Sequence, residues 1–339
     1  MNREAVLELA QHGRFPEGAA AFTLVETHIS WVLLSDTDVY KIKKPVVFSF
    51  LDFSTPELRQ HFCEEELRLN RRLAPDMYLG VCPVVRDADG RMAVCLEGRG
   101  EVVDHALHMR RMDDSRQMDR VLRQGGVRLQ DMDQLAGLLA AFHRQYVQPN
   151  PPFGDLDNRS DVDDLFGMSD LAEVWIGQGA AQTLQHWAAV LHRFLDVHAG
   201  RFRDRAAAGF WVEGHGDLHA RNIFLLEGGP VVFDCIEFSA HFRVLDVLSD
   251  LAFLCMDLEA AGHPELSERF LQTYVGHWNC MPAIEDGLIL VYFKAYRASV
   301  RLKVNLLSLQ QQSDDRLVQE ARTYWDVVGD YVARLARKG

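Results

Sequence analysis

The 339-residue chain has only six cysteines, Cys63, Cys82, Cys95, Cys235, Cys255 and Cys280, and no two of them form a Cys-x-x-Cys pair or a dense cluster. A disulfide-stapled scaffold is therefore excluded, and the cysteines read as buried thiols in a reducing compartment. No apolar run approaches the roughly 18 residues of a membrane span. The start, Met1-Asn-Arg-Glu4, has an acid where a signal peptide needs a basic segment, so the expectation is a soluble cytoplasmic protein. Positive charge is in deficit as well: 36 Lys and Arg stand against 49 Asp and Glu, a formal net charge of −13. That balance repels nucleic acid and anionic lipid, and neither is an expected partner. Two glycine signatures are also missing, a Gly-rich phosphate loop and the segment G-x-x-x-x-G-K-S/T. What is present is 48% hydrophobic residues in a chain long enough to bury a large core and too long for one compact unit, so two lobes are expected.

A short helix is expected at Leu7 to His12, followed by strand-like runs at Phe22 to Glu26, Ile29 to Leu34 and Val39 to Lys43. The turn Ser35-Asp-Thr-Asp38 makes a hairpin of the last two. Thr55-Pro-Glu57 resembles a helix start, and the helical pattern runs through Leu73 to Pro75. Val81 to Val85 and Met92 to Leu96 read as a second hairpin around Asp87-Ala-Asp-Gly90. Beyond His108 amphipathic helical stretches dominate, at Asp131 to Tyr146, Thr183 to Phe202, Val244 to Leu258, Leu266 to Trp278, Gly287 to Leu309 and Asp315 to Leu335. The expected architecture is α+β, with a mainly β part over residues 1–107 and a mainly α part over 108–339. Gln148 to Gly154 together with the acidic Asp155 to Asp164 reads as a surface loop or lid.

One β island interrupts the helical half. His215-Gly-Asp-Leu-His-Ala-Arg-Asn222 leads into the apolar run Ile223 to Leu226, a turn at Glu227-Gly-Gly-Pro230, and a returning run that ends at Asp234. Phosphoryl transfer from a nucleotide needs a carboxylate that orients or deprotonates the attacking hydroxyl, and hard oxygen ligands for magnesium. Asp217, Asn222 and Asp234 supply that set in one loop and hairpin. An isolated Asp in a Gly turn would merely make an Asx-turn; the ordered combination is much harder to obtain by chance. His215 and His219 do not read as a zinc pair, because Gly216 and Asp217 break the helix that would align them and no third ligand is evident. His215 reads as a loop-holding residue, and His219 as a packing residue more than a phosphate neighbour.

Such a site also needs a cation on the phosphates. Period-two alternation turns Lys41 and Lys43 to one strand face, and Glu64-Glu65-Glu66 on the following helix can supply the carboxylate that holds an inward lysine. The bland alternative is a solvated lysine edge and a solvated glutamate face. The order of motifs favours function for Lys41.

The strand Val39-Tyr-Lys-Ile-Lys-Lys-Pro45, the segment Leu51-Asp-Phe-Ser-Thr55, the helix Cys63 to Pro75, the run Asp234 to Glu237 and Asp246-Val-Leu-Ser-Asp-Leu-Ala-Phe253 together resemble the bacterial aminoglycoside phosphotransferase-like kinases. The resemblance covers nearly the whole chain and is closest to a branch that carries this lysine strand. It implies a protein-kinase-like two-lobed fold that binds ATP and Mg²⁺ and transfers phosphate to a small-molecule hydroxyl. It further implies that Lys41 contacts the α/β-phosphates and pairs with Glu66, with Glu65 as the rival. Asp217 would be the catalytic base, Asn222 and Asp234 the magnesium ligands, Asp250 the anchor of the catalytic loop's backbone, and Met109-Arg-Arg-Met112 the hinge under the adenine.

Thr27-His-Ile-Ser30 stands where the glycine-rich loop would be, which leaves Thr27, Ser30 and backbone amides for the phosphates. Glu237 reads equally as a residue behind the metal or as a hairpin-end charge. Lys294, Arg297, Arg301 and Lys303 share a helical stripe that reads as solvated, with Arg297 as a possible contact for an anionic acceptor. The acidic loop points the other way, and a neutral or amino sugar is the expected acceptor. The alternative function is a kinase-fold nucleotide-binding regulator with little turnover. A protein kinase is disfavoured by the lack of an Ala-Pro-Glu element after Asp234.

Overall fold

A computed structural model describes residues 1–16, 18, 22–48, 51–95, 100–149, 159–311 and 314–338. Along the chain, α1 (Arg3–His12) precedes β1 (Thr23–Glu26), β2 (Ser30–Leu34), β3 (Asp38–Lys43), β4 (Val47–Phe48), β5 (Leu51–Asp52), α2 (Pro56–Asn70), β6 (Tyr78–Arg86), β7 (Met92–Val94) and β8 (Glu101–Arg110). Helices α3 (Met118–Arg123), α4 (Leu129–Gln145), α5 (Arg159–Phe166), α6 (Ser169–Trp175) and α7 (Ala180–Ala207) follow. Next come β9 (Trp211–Glu213), β10 (Ile223–Leu226), β11 (Gly229–Val232), α8 (Ala240–Arg243) and β12 (Val244–Asp246). The chain finishes with α9 (Val247–Ala260), α10 (Pro264–His277), α11 (Asp286–Gln311) and α12 (Asp315–Lys338). Contacts divide it into one unit of Met1–Val121 with Asn222–Ala240 and another of Leu122–Arg221 with His241–Gly339. This division differs from a single cut at residue 107, because β8 runs on to Arg110 and the β10–β11 hairpin belongs with the first unit. There Arg116 Nε donates to the Leu225 carbonyl at 2.9 Å, and Gln117 bridges Phe224.

The first unit is built on a six-stranded antiparallel sheet in the order β1-β2-β3-β8-β6-β7. Its hairpins are those expected, with Leu34 opposite Val39 and Val84 opposite Val94. Strand β8 is the element that the hydrophobic pattern hides: Asp104, His105 and His108 interrupt the alternation, yet it lies between β3 and β6. Asp104 is tolerated in the interior because Arg59 of α2 meets it with Nε and Nη2 at 2.9 and 2.8 Å. His108 Nε2 lies 2.7 Å from Asp38 Oδ1. On one sheet face Tyr40 and Ile42 join α1 in a core with Trp31, Leu33 and Val84. On the other, Val39 packs with Cys63, Tyr78, Leu107 and Met109. Strand alternation therefore places Lys41 and Lys43 with Val39, on the side that meets α2. Helix α2 begins where Thr55 Oγ1 accepts from Leu58 N–H at 3.2 Å with Pro56 in the first turn, and it ends at Asn70, after which Arg71 to Ala74 continue as turns.

The second unit is helical around α9, which is buried on nearly every side from Val247 to Leu258. Residues 244–246, expected to open this helix, instead form β12 against β9, and Asp246 Oδ1 caps α9 by accepting from Leu248 N–H at 2.8 Å. The expected acidic loop is in part helical: α5 buries Val162, Leu165 and Phe166 on one face, a spacing of three and four that the acids between them mask. The remainder of that stretch, 150–158, lies outside the described residues. The solvated stripe on α11 is also corrected, because Lys294 and Arg297 are both buried. Among the described residues no helix is long and apolar enough to cross a membrane.

Arg205 of α7 ties this unit together. Fully buried, it meets Asp246 through two bonds of 2.6 and 2.7 Å, Asp286 at 2.9 Å and the Cys280 carbonyl at 2.7 Å. Removing one partner of a buried ion pair strands the other charges, so Arg205→Met is expected to cost ~3–5 kcal/mol of stability in urea unfolding. A loss within the roughly 0.5 kcal/mol of an ordinary surface substitution would show that the cluster is not a structural tie.

Candidate functional site

In the first unit, five charged side chains form one connected array. Lys41 Nζ is 2.8 Å from Glu66 Oε1 and 2.8 Å from Asp234 Oδ1. Lys43 Nζ is 2.7 Å from Glu66 Oε2 and also pairs with Glu237. Glu66 thus gives one oxygen to each lysine, while Glu65 turns outward to Arg68 at 2.8 Å. Glu66 and Lys43 are 0% and 1% exposed, so the solvated-face reading fails for both of them. Burial pushes the Lys41 ammonium down, but Asp234, then Glu66 and Glu237, hold it well above its usual range. Burial likewise opposes the charge on Glu66, and the two lysines outweigh it, so the carboxyl sits below its usual range. Glu237 behaves in the opposite way: burial raises it despite Lys43.

Asp234 sits at φ 64°, the one non-glycine residue among those described with a positive φ. Such left-handed backbone is costly and is held here from several sides. Asp234 N–H donates to the Tyr78 hydroxyl at 3.1 Å, and Cys235 N–H donates to Asn70 Oδ1 at 2.8 Å. Lys41 holds the Asp234 carboxylate, whose side chain is still 43% exposed and available to a ligand. Asn222, buried at the start of β10, accepts at its carbonyl from Phe233 N–H at 3.0 Å, which pins it to the strand leading to Asp234. Met109 is buried on β8, and Met112 packs on the same apolar cluster as Val39, Leu107 and Phe224. Thr27 and Ser30 close a tight turn: Thr27 N–H donates to the Ser30 carbonyl, and Ser30 N–H to Thr27 Oγ1, both at 2.9 Å. Those two amides are used within the turn and are not offered to a phosphate.

The Asp217 loop, in the second unit, is hung on Asp250 of α9. Asp250 accepts from His215 N–H at 2.6 Å and Gly216 N–H at 2.9 Å, and His143 Nε2 lies 3.3 Å from it. Arg297 Nη1 donates to the Gly216 carbonyl at 2.8 Å, which makes Arg297 a loop support and not a free stripe residue. His215 is fully buried, and its Nδ1 accepts from Asp217 N–H at 3.2 Å. His219 is the residue undervalued by sequence reasoning: its Nε2 is 3.3 Å from Asp217 Oδ2 and its ring meets Phe253 edge-on. The buried Nδ1 of His219 has no hydrogen-bond partner among the described residues. Burial opposes the Asp217 charge, but His219, His215 and Arg301 prevail and keep the carboxyl well below its usual range. Past this point Ala220 N–H donates to Asp257 Oδ2 at 2.9 Å.

The sequence model of a phosphotransferase enzyme family matches residues 37–284, which include every one of these groups except the Thr27–Ser30 turn, Arg297 and Arg301. The chain belongs to that family. Two uncharacterized proteins, from Mycobacterium tuberculosis and Mycobacterium bovis, are 33% identical over 307 residues, 88% of this chain and 57% of theirs. The chain thus spans little more than half the length of these relatives. Among solved structures, choline kinase from Cryptosporidium parvum Iowa II aligns with a TM-score of 0.57 at 11% identity, covering 100% of this chain and 97% of that one. A mutant aminoglycoside 2'-phosphotransferase-IIIa in complex with GDP aligns at 0.55 with 12% identity, covering 98% and 97%. At these identities the likeness is one of fold, and the fold is protein-kinase-like, with a β-sheet unit and a helical unit.

Because Glu66 is the common partner of two buried ammoniums, Glu66→Gln is expected to lower stability by ~3–5 kcal/mol, and Glu65→Gln by no more than about 0.5 kcal/mol. The stabilising carboxylate is present above the ordinary value of 4.5 and is lost as pH falls through its depressed value, so the gap between wild type and Glu66→Gln should shrink on acidification. Urea midpoints measured across pH check both statements; equal losses for the two variants would contradict the assignment.

Proposed function

We propose that the protein is a small-molecule kinase that moves the γ-phosphoryl group of ATP, with Mg²⁺, onto a hydroxyl of its acceptor. The observation that carries this reading is Lys41 held between Glu66 and Asp234, in a family member whose Asp217 and Asn222 stand in one loop. A binding-only regulator needs a cation for phosphate but has no use for an ionised base as well. In this reading Lys41 binds the α/β-phosphates. The apolar surface of Val39, Leu107, Met109, Phe224 and Met112 is suited to a flat adenine ring.

Asn222 and Asp234 would hold magnesium. Their oxygen donors suit that ion, and among the described residues no group of three or more His, Cys, Asp or Glu forms a metal cage, so water and phosphate would complete the coordination. Bound there, magnesium neutralises charge on the phosphates. Asp217 orients the acceptor hydroxyl and takes its proton as that oxygen bonds to the γ-phosphorus and the bond to the β-bridging oxygen breaks. Asp250, Arg297 and His215 keep the base in place through the loop backbone. The small alcohol named in the choline kinase neighbour supports an acceptor of modest size.

Asp217→Asn is expected to lower turnover by about 10²- to 10⁴-fold while ATP binding, measured by calorimetry, is kept. A variant that retained half its turnover would remove Asp217 from the role of base. Asp234→Asn should instead abolish the magnesium dependence of nucleotide binding. Because the cations around Asp217 hold it ionised below its ordinary value of 3.8, the rate between about pH 5 and 8 should show no inflection that Asp217→Asn removes. An acid limb in that window that vanished in the variant would mean that the carboxyl titrates there.

A further inference from the structure

We infer that Arg301 forms an anion-binding subsite beside Asp217, selecting an acceptor that carries a carboxylate or phosphate. The inference rests on the phosphotransferase reading and adds the chemical class of the acceptor. Arg301 lies on α11 one helical turn beyond Arg297, whose Nη1 grips the Gly216 carbonyl. Its own Nε meets the Tyr324 hydroxyl at 3.4 Å, and its guanidinium lies over the Tyr324 ring, 5.4 Å from the centroid. The Tyr324 hydroxyl donates to Asp257 Oδ1 at 2.8 Å, and the other Asp257 oxygen holds Ala220 N–H. The loop is thus pinned at Gly216 and at Ala220 by groups that flank Arg301 on either side, and Asp217 lies between those two points.

Several charged groups on the neighbouring elements lie against one another. Asp161 is 3.0 Å from His241 Nε2, Asp163 is 3.2 Å from His192 Nε2, and Asp164 is 2.7 Å from Lys303 Nζ. Glu320 holds both Arg221 and Arg316, and Glu213 holds Arg243. Of the acidic stretch that favoured an amino sugar, the described carboxylates Asp161 and Asp164 thus have partners within the protein. Arg301 differs: its hydrogen-bond partner is a neutral phenol, no carboxylate among the described residues is within ion-pair distance of it, and the carboxylates that face it are Asp257, reached through the Tyr324 hydroxyl, and Asp217. Stacking on Tyr324 fixes the guanidinium plane while the fork of N–H groups stays open, the geometry that recognises two oxygens of one anion.

Calorimetric titration of the whole protein, with Mg²⁺ and a non-hydrolysable ATP analogue, by glucuronate, glucose 6-phosphate, glucose and glucosamine tests the inference. At least one of the two anionic sugars should bind about 10-fold or more tightly than glucose, with glucosamine weakest; which anion is preferred distinguishes carboxylate from phosphate. Arg301→Met should erase the preference and Arg301→Lys retain part of it, both with nucleotide affinity intact and the fold verified by urea unfolding. Equal binding of all four, a preference for glucosamine, or binding of neither anion by the wild type at millimolar concentration would overturn the subsite. A failure of Mg²⁺-dependent ATP binding would instead count against the kinase reading, and so the two failures are distinguishable.

Discussion

The carboxylate of Glu66 is the point on which the buried charge array of the first unit depends. A buried carboxylate is costly unless its charge and both oxygens are satisfied, and here each oxygen receives one ammonium. Two lysines also need acceptors beyond Glu66. Lys41 finds Asp234 and Lys43 finds Glu237, so a single buried charge on α2 fixes β3 and both ends of the 234–237 segment. The array joins two lysines to three carboxyl groups, of which Asp234 is the exposed one. The exposed Asp234 carboxylate is where the proposed magnesium would add positive charge to the array.

The Asp217 loop follows a parallel logic with a different anchor. Asp250 takes two backbone N–H groups in succession, and this is possible because Gly214 precedes them: a Cβ at Gly214 would stand 2.3 Å from Asp250 Oδ2. The glycine serves close approach, since its φ is not in the left-handed region. Arg297 then fixes the Gly216 carbonyl, and with both the donor and the acceptor sides of the backbone held, the Asp217 side chain is aimed by main-chain geometry and not by its own packing.

Much of this was legible in the sequence where local rules and long-range partners agree. Alternation in Val39 to Lys43 places both lysines on one face, and the order Asp217, Asn222, Asp234 follows from a loop and a hairpin that the turn residues announce. Legibility ended where a polar residue is buried by a distant partner. Strand β8 was hidden because Asp104 looks like a breaker until Arg59, 45 positions away, is seen beside it. Lys43 looked solvated because nothing near it in sequence marks Glu237, 194 positions on, as its partner. Lys294 and Arg297 looked like a solvated stripe for the same reason: helical periodicity reports a face, and only tertiary contacts tell whether a cation on it is paired and buried.

That distinction bears on the acceptor. A formal charge of −13 suggests attraction for cations, yet long-range charge is screened beyond about a Debye length of 8–10 Å, so the local balance decides recognition at a site. Around the Asp217 loop, Asp164, Glu213 and Glu320 are each paired with a lysine or arginine within the protein, and Asp161 lies beside His241. Beside them stand Asp217, Asp257 and the arginine whose charge helps to hold Asp217 below its usual range. In the proposed reaction an acceptor hydroxyl would approach a carboxylate that repels anions and an arginine that attracts them. The two demands are compatible when the anionic group and the reacting hydroxyl sit on different atoms of one small molecule, spaced so that the first meets Arg301 and the second meets Asp217. A bare anion without a hydroxyl would satisfy only the arginine, and an amino alcohol only the carboxylate, so the spacing of the two charges on the protein is itself a device for selectivity.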